Sequence, residues 1–208
     1  MLELSKNCRI CPRLADFRDE NRKKFPDKFN APVPAFGPVD APFLIVGLAP
    51  GLKGANFTGR PFTGDYAGEL LYQTLIRFGF AAGEYKAHPN DGLELTGCRI
   101  TNAVKCLPPE NKPTTDEMKN CLPFFQADRD KMPNLKVILA LGKIAHDSIL
   151  RLYGLPLSSQ KFAHAARHEL PGEVVLVDSY HCSRYNTQTG RLTTGMFEDV
   201  IKMCRDLL

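Results

Sequence analysis

The sequence predicts an α/β protein whose four-stranded parallel sheet is covered by helices on both faces. Four apolar runs of strand length alternate with four segments whose apolar residues recur at helical spacing. The runs are nearly continuous in apolar residues, which is typical of parallel strands buried on both faces. Ligand sites in such sheets form at the carboxyl ends of the strands, so the loops that follow the strands are where function is sought first.

Strands are predicted at residues 43–47, 99–104, 137–141 and 173–177. The first, FLIVG, is an apolar run that ends in glycine. Helices are predicted at residues 66–78, 114–129, 142–153 and 195–208. The second of these helices opens with Thr-Thr-Asp-Glu, a sequence that favours a helix N-terminus.

The length of 208 residues predicts a single domain over residues 1–208. Within it, residues 1–40 form an N-terminal arm that carries a charged helical stretch and ends in a proline-rich linker. The formal charge of +4 is mildly basic, so it permits nucleic acid as a partner without indicating one. Residues 1–30 hold eight Lys and Arg residues, which suit either a solvated helix surface or a face that contacts phosphates.

No segment approaches the ~18 apolar residues that a membrane-spanning helix needs. The N-terminal sequence MLELSKNCRI is polar and charged, unlike a secretory signal. We therefore expect a cytoplasmic protein without a membrane partner, and a monomer, because no stripe of interface residues stands out. Seven cysteines are an odd number in such a chain, so a disulfide framework is not expected.

Four of the cysteines fall into two pairs. Cys8 and Cys11 form a CxxC near the N-terminus, and Cys106 and Cys121 lie fifteen positions apart, the first where a predicted strand ends. Four thiolates can hold zinc or an iron–sulfur cluster, since both sites are commonly built from four cysteines. The alternative is four reduced thiols. A bound metal would order the arm by tying it to the sheet.

Two strand-end loops carry candidate site residues. The glycine-rich loop at 47–68 lets the backbone approach a ligand closely, yet it matches neither common phosphate-binding pattern. Within it, Asp65 is either an N-cap or a functional acid, and Phe62 is either a core aromatic or a site residue. Asn102 lies within the end of the next predicted strand, 99–104; as a buried amide it either bonds neighbouring backbone or reads a ligand edge.

The loop after the last strand is the richest in polar side chains. It contains His181, Ser183, Arg184, Tyr185 and Asn186. This combination at the carboxyl end of a strand is unusual for a mere connection, which makes His181 a better site candidate than a lone histidine would be. The other four histidines show no spacing typical of metal ligands.

Together these segments resemble the uracil-DNA glycosylase superfamily, and most closely its family 5, or type b, enzymes. The matched segments are Cys8-x-x-Cys11, GLAPG at 47–51, TGRPFTGD at 58–65, ITNAVKC at 100–106, Cys121, and HCSRYNTQTGRLT at 181–193. They occur in the family's order and span nearly the whole chain. The resemblance implies a three-layer α/β/α sandwich around a four-stranded parallel sheet. It also implies a [4Fe–4S] cluster on Cys8, Cys11, Cys106 and Cys121.

The resemblance implies a DNA repair glycosylase that hydrolyses the N-glycosidic bond of uracil, and of other deaminated bases such as hypoxanthine, flipped out of double-stranded DNA. Related families place an acid directly after the glycine of the first motif, where this chain has Leu48. Type b enzymes share that loss, and the acid proposed instead is the one before the helix, Asp65. We expect Asp65 to orient water, His181 to stabilise the departing base, and Asn102 to bond the base edge or the water.

The expected base pocket comprises Gly47, Leu48, Ala49, Gly51, Phe62, Asn102 and His181. Phe62 would stack on the flipped base, and backbone amides of residues 48–51 would complete the pocket. The expected DNA contacts are Ser183, Arg184, Tyr185 and Asn186. Two positions depart from the family's last motif: Cys182 replaces a proline, and Tyr185 stands where a Gln-like residue is expected.

Three other functions remain open from the sequence. One is a uracil-specific glycosylase of the family 4 kind, against which Leu48 argues. Another is a non-catalytic iron–sulfur or zinc protein that binds nucleic acid without releasing a base. The third is a nucleotide-binding metabolic enzyme on the same sheet, against which the missing phosphate-loop pattern argues.

Overall fold

A five-stranded sheet lies at the centre of the protein in the computed structural model, which describes residues 4–208; the first three residues of the predicted arm lie outside this range. Its strands are β1 (Phe43–Gly47), β4 (Cys98–Asn102), β5 (Val137–Leu141), β6 (Arg167–Leu170) and β7 (Val174–Ser179). The spatial order is β4-β1-β5-β7-β6, in which the first four are mutually parallel and β6 is antiparallel to β7. A separate two-stranded ribbon pairs β2 (Ala81–Ala82) with β3 (Glu94–Leu95).

The helices confirm the predicted alternation. They are α1 (Pro12–Lys24), α2 (Ala55–Thr58), α3 (Tyr66–Arg77), α4 (Thr115–Asp130), α5 (Lys143–Leu152), α6 (Arg184–Gln188) and α7 (Thr194–Asp206), with a 3-10 turn at Pro109–Asn111. Thr114 and Glu117 form a capping box at the start of α4, as the Thr-Thr-Asp-Glu sequence predicts. Within residues 4–208, no helix is long and apolar enough to cross a membrane.

The predicted count of four strands is wrong by one. β6 is short, and its residues alternate between exposed (Arg167, Glu169) and buried (His168, Leu170). It therefore lacks the continuous apolar run by which the four parallel strands are recognised. A tight turn through Gly172, at φ 82°, folds it back onto β7 as an antiparallel edge strand. The parallel sheet of four strands is present as predicted, with this edge strand added.

Three layers follow from the way alternate side chains of β1 leave the sheet. Phe43 and Ile45 pack on one face with apolar residues of α3 and α7. Leu44 and Val46 pack on the other face with apolar residues of α4 and α5. The α/β/α sandwich is therefore confirmed, and the carboxyl ends of the parallel strands emerge together at one edge of it.

The N-terminal arm follows the outer edge of β4. Phe36 and Ile100 exchange two backbone hydrogen bonds of 2.8 and 2.9 Å, and the Val33 amide donates to the Lys105 carbonyl at 2.7 Å. Earlier in the arm, α1 is joined to α4 by a bidentate pair in which Arg13 donates to both carboxylate oxygens of Glu117. These contacts bring Cys8 and Cys11 to the side of the molecule that holds Cys106 and Cys121.

Candidate active site

A cleft of about 660 Å³ opens at the carboxyl ends of β1, β4 and β7. The predicted site residues that line it are Leu48, Ala49, Gly51, Phe62, Asp65, Asn102, His181, Ser183 and Arg184. Three separate strand-end loops supply these residues, so only the sheet brings them together. Gly47, Tyr185 and Asn186 are not among the residues that line the cleft.

Asp65 is both an N-cap and a cleft residue. Its Oδ1 atom accepts a hydrogen bond of 3.2 Å from the Gly68 amide and so caps α3. Its Oδ2 atom lies against Gly51 and Gly54, and a Cβ on Gly54 would come within 2.3 Å of that oxygen. Burial raises the pKa of this carboxyl, while the backbone amides of Gly68 and Ala67 lower it in part. One oxygen thus anchors the group and the other is presented to the glycine-rich loop.

Phe62 is held in an unusual backbone conformation, with φ at 51°. The Tyr85 hydroxyl donates to the Phe62 carbonyl at 3.2 Å, and the Tyr72 hydroxyl donates to the preceding carbonyl of Pro61 at 2.6 Å. A bidentate pair between buried Arg60 and Asp91 fixes the same loop from below. The surroundings therefore determine where the Phe62 ring points.

Gly47 acts from behind the cleft. A Cβ at this position would lie 2.4 Å from Asn102 Oδ1 and 2.6 Å from Phe62 Cζ. Those distances are shorter than any real contact, so a side chain here would displace both neighbours. Gly47 is required because it lets the Asn102 amide and the Phe62 ring meet at the floor of the cleft.

His181 lies across the cleft floor from Phe62. The two ring centroids are 6.0 Å apart and the ring planes are inclined by 32°. Burial lowers the pKa of His181 to about 4, so the imidazole is neutral at pH 7. The side-chain amide of Asn186 donates to the His181 carbonyl at 2.8 Å, and the next residue, Cys182, is buried. Asn186 thus holds the His181 backbone.

The start of α6 forms one rim of the cleft. Residues 184–188, expected as loop, form this short helix. The Ser183 hydroxyl caps it by accepting from the backbone amide of Asn186 at 3.4 Å. The Arg184 guanidinium lies 5.3 Å from the centre of the Tyr66 ring, across the mouth of the cleft. Tyr185 is 71% exposed and points away from the protein body.

The four predicted cluster cysteines surround one small cavity, together with apolar residues of the arm and of α4. The Cys121 sulfur accepts from the Lys105 amide at 3.3 Å, and the Cys11 sulfur accepts from the Asn120 side chain at 3.7 Å. Burial raises the pKa of Cys106 to about 12 and that of Cys121 to about 11. Thiolates at these positions therefore need a compensating cation.

Two observations are compatible with an iron–sulfur cluster at this donor set. Within residues 4–208, no three cysteine sulfurs lie within 4.8 Å of one another, whereas the four sulfurs of a tetrahedral zinc site would all lie ~3.8 Å apart. In a cubane cluster each thiolate binds a different iron, which demands wider spacing. Buried Arg18 donates to the Cys8 carbonyl, while its Nε and Nη2 atoms make no hydrogen bond within the described part of the chain, although Nε lies 3.8 Å from Asp19 Oδ1. A guanidinium with spare donors suits an anionic group.

Two buried polar groups were missed by the sequence analysis. His146, His168 and Asp178 come together behind the loop that carries His181. Buried Lys105 forms an ion pair with partly buried Asp128 behind Asn102. No spacing rule reveals either group, because each joins residues from separate elements of the fold.

Comparison with known proteins agrees with the class of fold and site just described. The family model described as "Uracil DNA glycosylase superfamily" matches residues 34–205. The chain therefore belongs to the uracil DNA glycosylase superfamily.

Its relatives indicate the branch of that superfamily. The chain is 43% identical to the type-5 uracil-DNA glycosylase of Thermus thermophilus over 205 residues, covering 96% of this chain and 93% of the relative. It is 40% identical to the type-5 enzyme of Mycobacterium leprae, with 96% and 91% covered. A type-4 enzyme of Pyrobaculum aerophilum is 35% identical, with 73% and 64% covered.

Proposed function

We propose that this protein is a DNA glycosylase that hydrolyses the N-glycosidic bond of uracil, and of other deaminated bases such as hypoxanthine, in double-stranded DNA. The observation that carries the proposal is the convergence of Asp65, Asn102 and His181 on one cleft from three strand ends. Relatives that span nearly the whole chain are named type-5 uracil-DNA glycosylases, which supports it.

The target nucleotide must leave the duplex before its glycosidic bond can be reached. The cleft volume of about 660 Å³ accommodates an extruded nucleotide. Phe62 forms an apolar wall on which the flat base would stack, and the constrained backbone keeps that wall in place without a ligand. Residues 48–51 line the remaining side, where the backbone amides of Leu48, Ala49 and Gly51 would be available to the base.

Bond cleavage places positive charge on the sugar and negative charge on the departing base. The Asp65 carboxylate would stabilise the sugar cation and orient the attacking water through Oδ2, because Oδ1 is engaged in the helix cap. His181, neutral at pH 7, would donate a hydrogen bond to a base carbonyl from its one ring N–H. Asn102 would bond the base edge or help to hold the water.

The DNA would lie along the rim made by α6. Ser183 and Arg184 face the cleft and suit phosphate and groove contacts, while exposed Tyr185 is placed to enter the space left by the flipped nucleotide. Asn186 would act by holding the His181 backbone. We infer a monomer that acts where the cell keeps its DNA.

Cys8, Cys11, Cys106 and Cys121 would hold the [4Fe–4S] cluster. When bound, the cluster would supply a structural link between the arm and the sheet, because hydrolysis of the glycosidic bond transfers no electrons to or from a redox centre.

Broad specificity follows from the nature of the pocket. Strong rejection of a wrong base requires polar groups that the wrong base leaves unpaired. Here Phe62 and the backbone of residues 48–51 form much of the lining. Stacking on a ring and hydrogen bonds to backbone would both tolerate different bases. We therefore expect hypoxanthine as well as uracil to be released.

A base-release assay tests the proposal. Labelled duplexes carry one uracil opposite guanine or one hypoxanthine, and alkali then cuts each abasic site. Release from both supports the proposal, and release from uracil alone would point to a narrow glycosylase. Binding without release, by protein with its full iron content, would contradict it and indicate a binding protein.

Single substitutions separate the roles of the three residues. Asp65→Asn retains the helix cap, because Asn is as good an N-cap as Asp, and should slow release at least ~100-fold. If Asp65→Asn is nearly as fast as wild type while Asn102→Ala is inactive, the water belongs to Asn102. If His181→Ala loses less than ~10-fold, about 1.4 kcal/mol of barrier, His181 is not the main stabiliser of the departing base.

A further inference from the structure

Lys105 is the most deeply buried ammonium in the described part of the chain, with 1% of its surface exposed. An ammonium has three hydrogens to donate, and all three find acceptors here. Its Nζ atom donates to Asp128 Oδ2, to Thr101 Oγ1 and, at 2.8 Å, to the backbone carbonyl of Asn102. The charge is thus matched by the Asp128 carboxylate, and no donor is left unused.

The carbonyl of Asn102 needs such a donor because of its place in the sheet. The amide of Ala103 donates to the Gly47 carbonyl of β1, so the backbone groups of Asn102 point to the opposite, outer side of β4. The arm pairs with that outer side at Ile100, two residues earlier. At Asn102 the Lys105 side chain supplies the hydrogen bond to the carbonyl that a neighbouring strand would otherwise supply.

Helix α4 holds Lys105 at both ends. Cys121 and Asp128 are seven residues apart, two helical turns, and therefore lie on the same face of α4. The Cys121 sulfur accepts from the Lys105 backbone amide at 3.3 Å, while Asp128 pairs with the Lys105 side chain. The next residue, Cys106, lines the same cysteine cavity as Cys121.

We propose that Lys105 is a positioning residue that couples helix α4 and its cysteine to Asn102, and so sets the orientation of the Asn102 amide in the cleft. The proposal rests on the glycosylase activity proposed above. It explains why a buried charge is kept at this point, since an apolar residue could fill the same space but could not bond the Asn102 carbonyl. The cysteine cluster would thereby affect catalysis through hydrogen bonds that end at Asn102.

The main test uses the double variant Lys105→Met/Asp128→Leu. Removing both charges avoids leaving an unpaired carboxylate next to the core, so this variant should fold where Lys105→Met alone could fail. We expect wild-type iron content, a Kd for uracil-containing duplex within ~3-fold of wild type, and a single-turnover rate of uracil release at least ~10-fold lower. Lys202→Met, which removes an exposed lysine paired with Asp206, is the matched control and should change none of these values.

A double-mutant cycle with Asn102→Ala gives the readout that a merely structural role would not move. If Lys105 acts through Asn102, adding the Lys105→Met/Asp128→Leu change to Asn102→Ala should slow release by less than ~2-fold further. The positioning role would be overturned if the rate losses of Lys105→Met/Asp128→Leu and Asn102→Ala multiply in the combined variant. It would also be overturned if Lys105→Met/Asp128→Leu releases uracil as fast as wild type. A wild-type protein that releases no uracil would instead refute the proposed function. If the double variant does not fold, the same cycle with Asp128→Asn, which keeps Lys105 and weakens its anchor, decides the question.

Discussion

The two sides of the cleft are supported by buried polar groups of different kinds. Behind Asn102, Lys105 pairs with Asp128 and lines the cysteine cavity, whose four cysteines are suited to hold a metal cluster. Behind His181, the group of His146, His168 and Asp178 is closed by its own hydrogen bonds. One side of the site would therefore depend on the proposed cluster, and the other depends on hydrogen bonds within the histidine group.

The protonation of the histidine group can be read from its partners. His146 bonds the Asp178 carboxylate through Nδ1 at 2.8 Å and the Gln160 carbonyl through Nε2 at 3.2 Å. The carboxylate and the carbonyl are both acceptors, so His146 donates both hydrogen bonds in its imidazolium form. Burial lowers the pKa of His146, but Asp178 outweighs it and the net pKa is raised. A buried imidazolium–carboxylate pair thus joins α5 to β7, three residues before His181.

The largest expected effect comes from breaking the histidine side. Asp178→Ala leaves a buried positive charge on His146 without its counter-ion, and should lower the free energy of unfolding by about 3–5 kcal/mol. Urea denaturation measures this. Asp206→Ala, which removes an exposed partner of Lys202, is the control and should cost no more than ~0.5 kcal/mol. A loss for Asp178→Ala as small as that of the control would contradict the assignment of a charged pair.

Removing a cysteine of the cavity should loosen the N-terminal arm without unfolding the whole protein. Cys106→Ala should lose the cluster and loosen the arm, so trypsin should cleave within residues 6–28 at least ~10-fold faster, equivalent to about 1.4 kcal/mol. Iron analysis and the rate of cleavage measure the two effects. Cys98→Ala, which alters a buried thiol outside the cysteine cavity, should retain full iron content. Loss of iron without faster cleavage would show that the other contacts of the arm are sufficient.

A rise of pH above about 6 should weaken the histidine side. Because the folded pKa of His146 lies above the ordinary value of about 6.5, its charged pair stabilises the protein fully below that pH. This stabilisation is lost as the pH rises through the raised folded pKa. The loss should be smaller than for Asp178→Ala, since the neutral ring can still donate to Asp178. Urea midpoints measured from about pH 6 upward should fall in wild type but stay flatter in His146→Gln.

The smallest effect should come from Gln160. Its side-chain oxygen bonds His168 Nδ1 at 3.1 Å, at the outer end of the histidine group. Gln160→Ala removes this one hydrogen bond and should cost about 1 kcal/mol by urea denaturation. Iron content should not change. A cost close to that of Asp178→Ala would mean that Gln160 is a central member of the group.

The sequence predicts where the motif-bearing loops begin, because each buried parallel strand is a continuous apolar run that can be recognised in the sequence. The runs FLIVG and VILAL mark where β1 and β5 end, and polar residues that follow such runs must meet at one edge of the sheet. The sequence allowed Asp65 to be either an N-cap or a functional acid. In the structure, Asp65 caps α3 and also lines the cleft. The parallel order of the strands therefore brings Asn102 and His181 to one edge, and the loop after β1 together with the cap of α3 adds Asp65.

What the sequence does not predict depends on contacts between distant elements. The strand β6 carries two exposed charged residues in four, so its pairing with β7 decides its conformation. His146 and His168 stand 22 positions apart, on a helix and on this edge strand, and meet only because both pack beside Asp178. Lys105 reads as an ordinary charged residue at a strand end until α4 is placed against it.

Tyr185 has an optical consequence. The chain contains no tryptophan, so the ultraviolet emission of the protein comes from its six tyrosines. Because Tyr185 projects from the rim of the cleft, a Tyr185→Trp variant would carry a single indole at the point where the protein is expected to enter DNA. Stacking between bases would quench that indole, and its emission would then follow duplex entry and withdrawal in real time, separately from the release of the base.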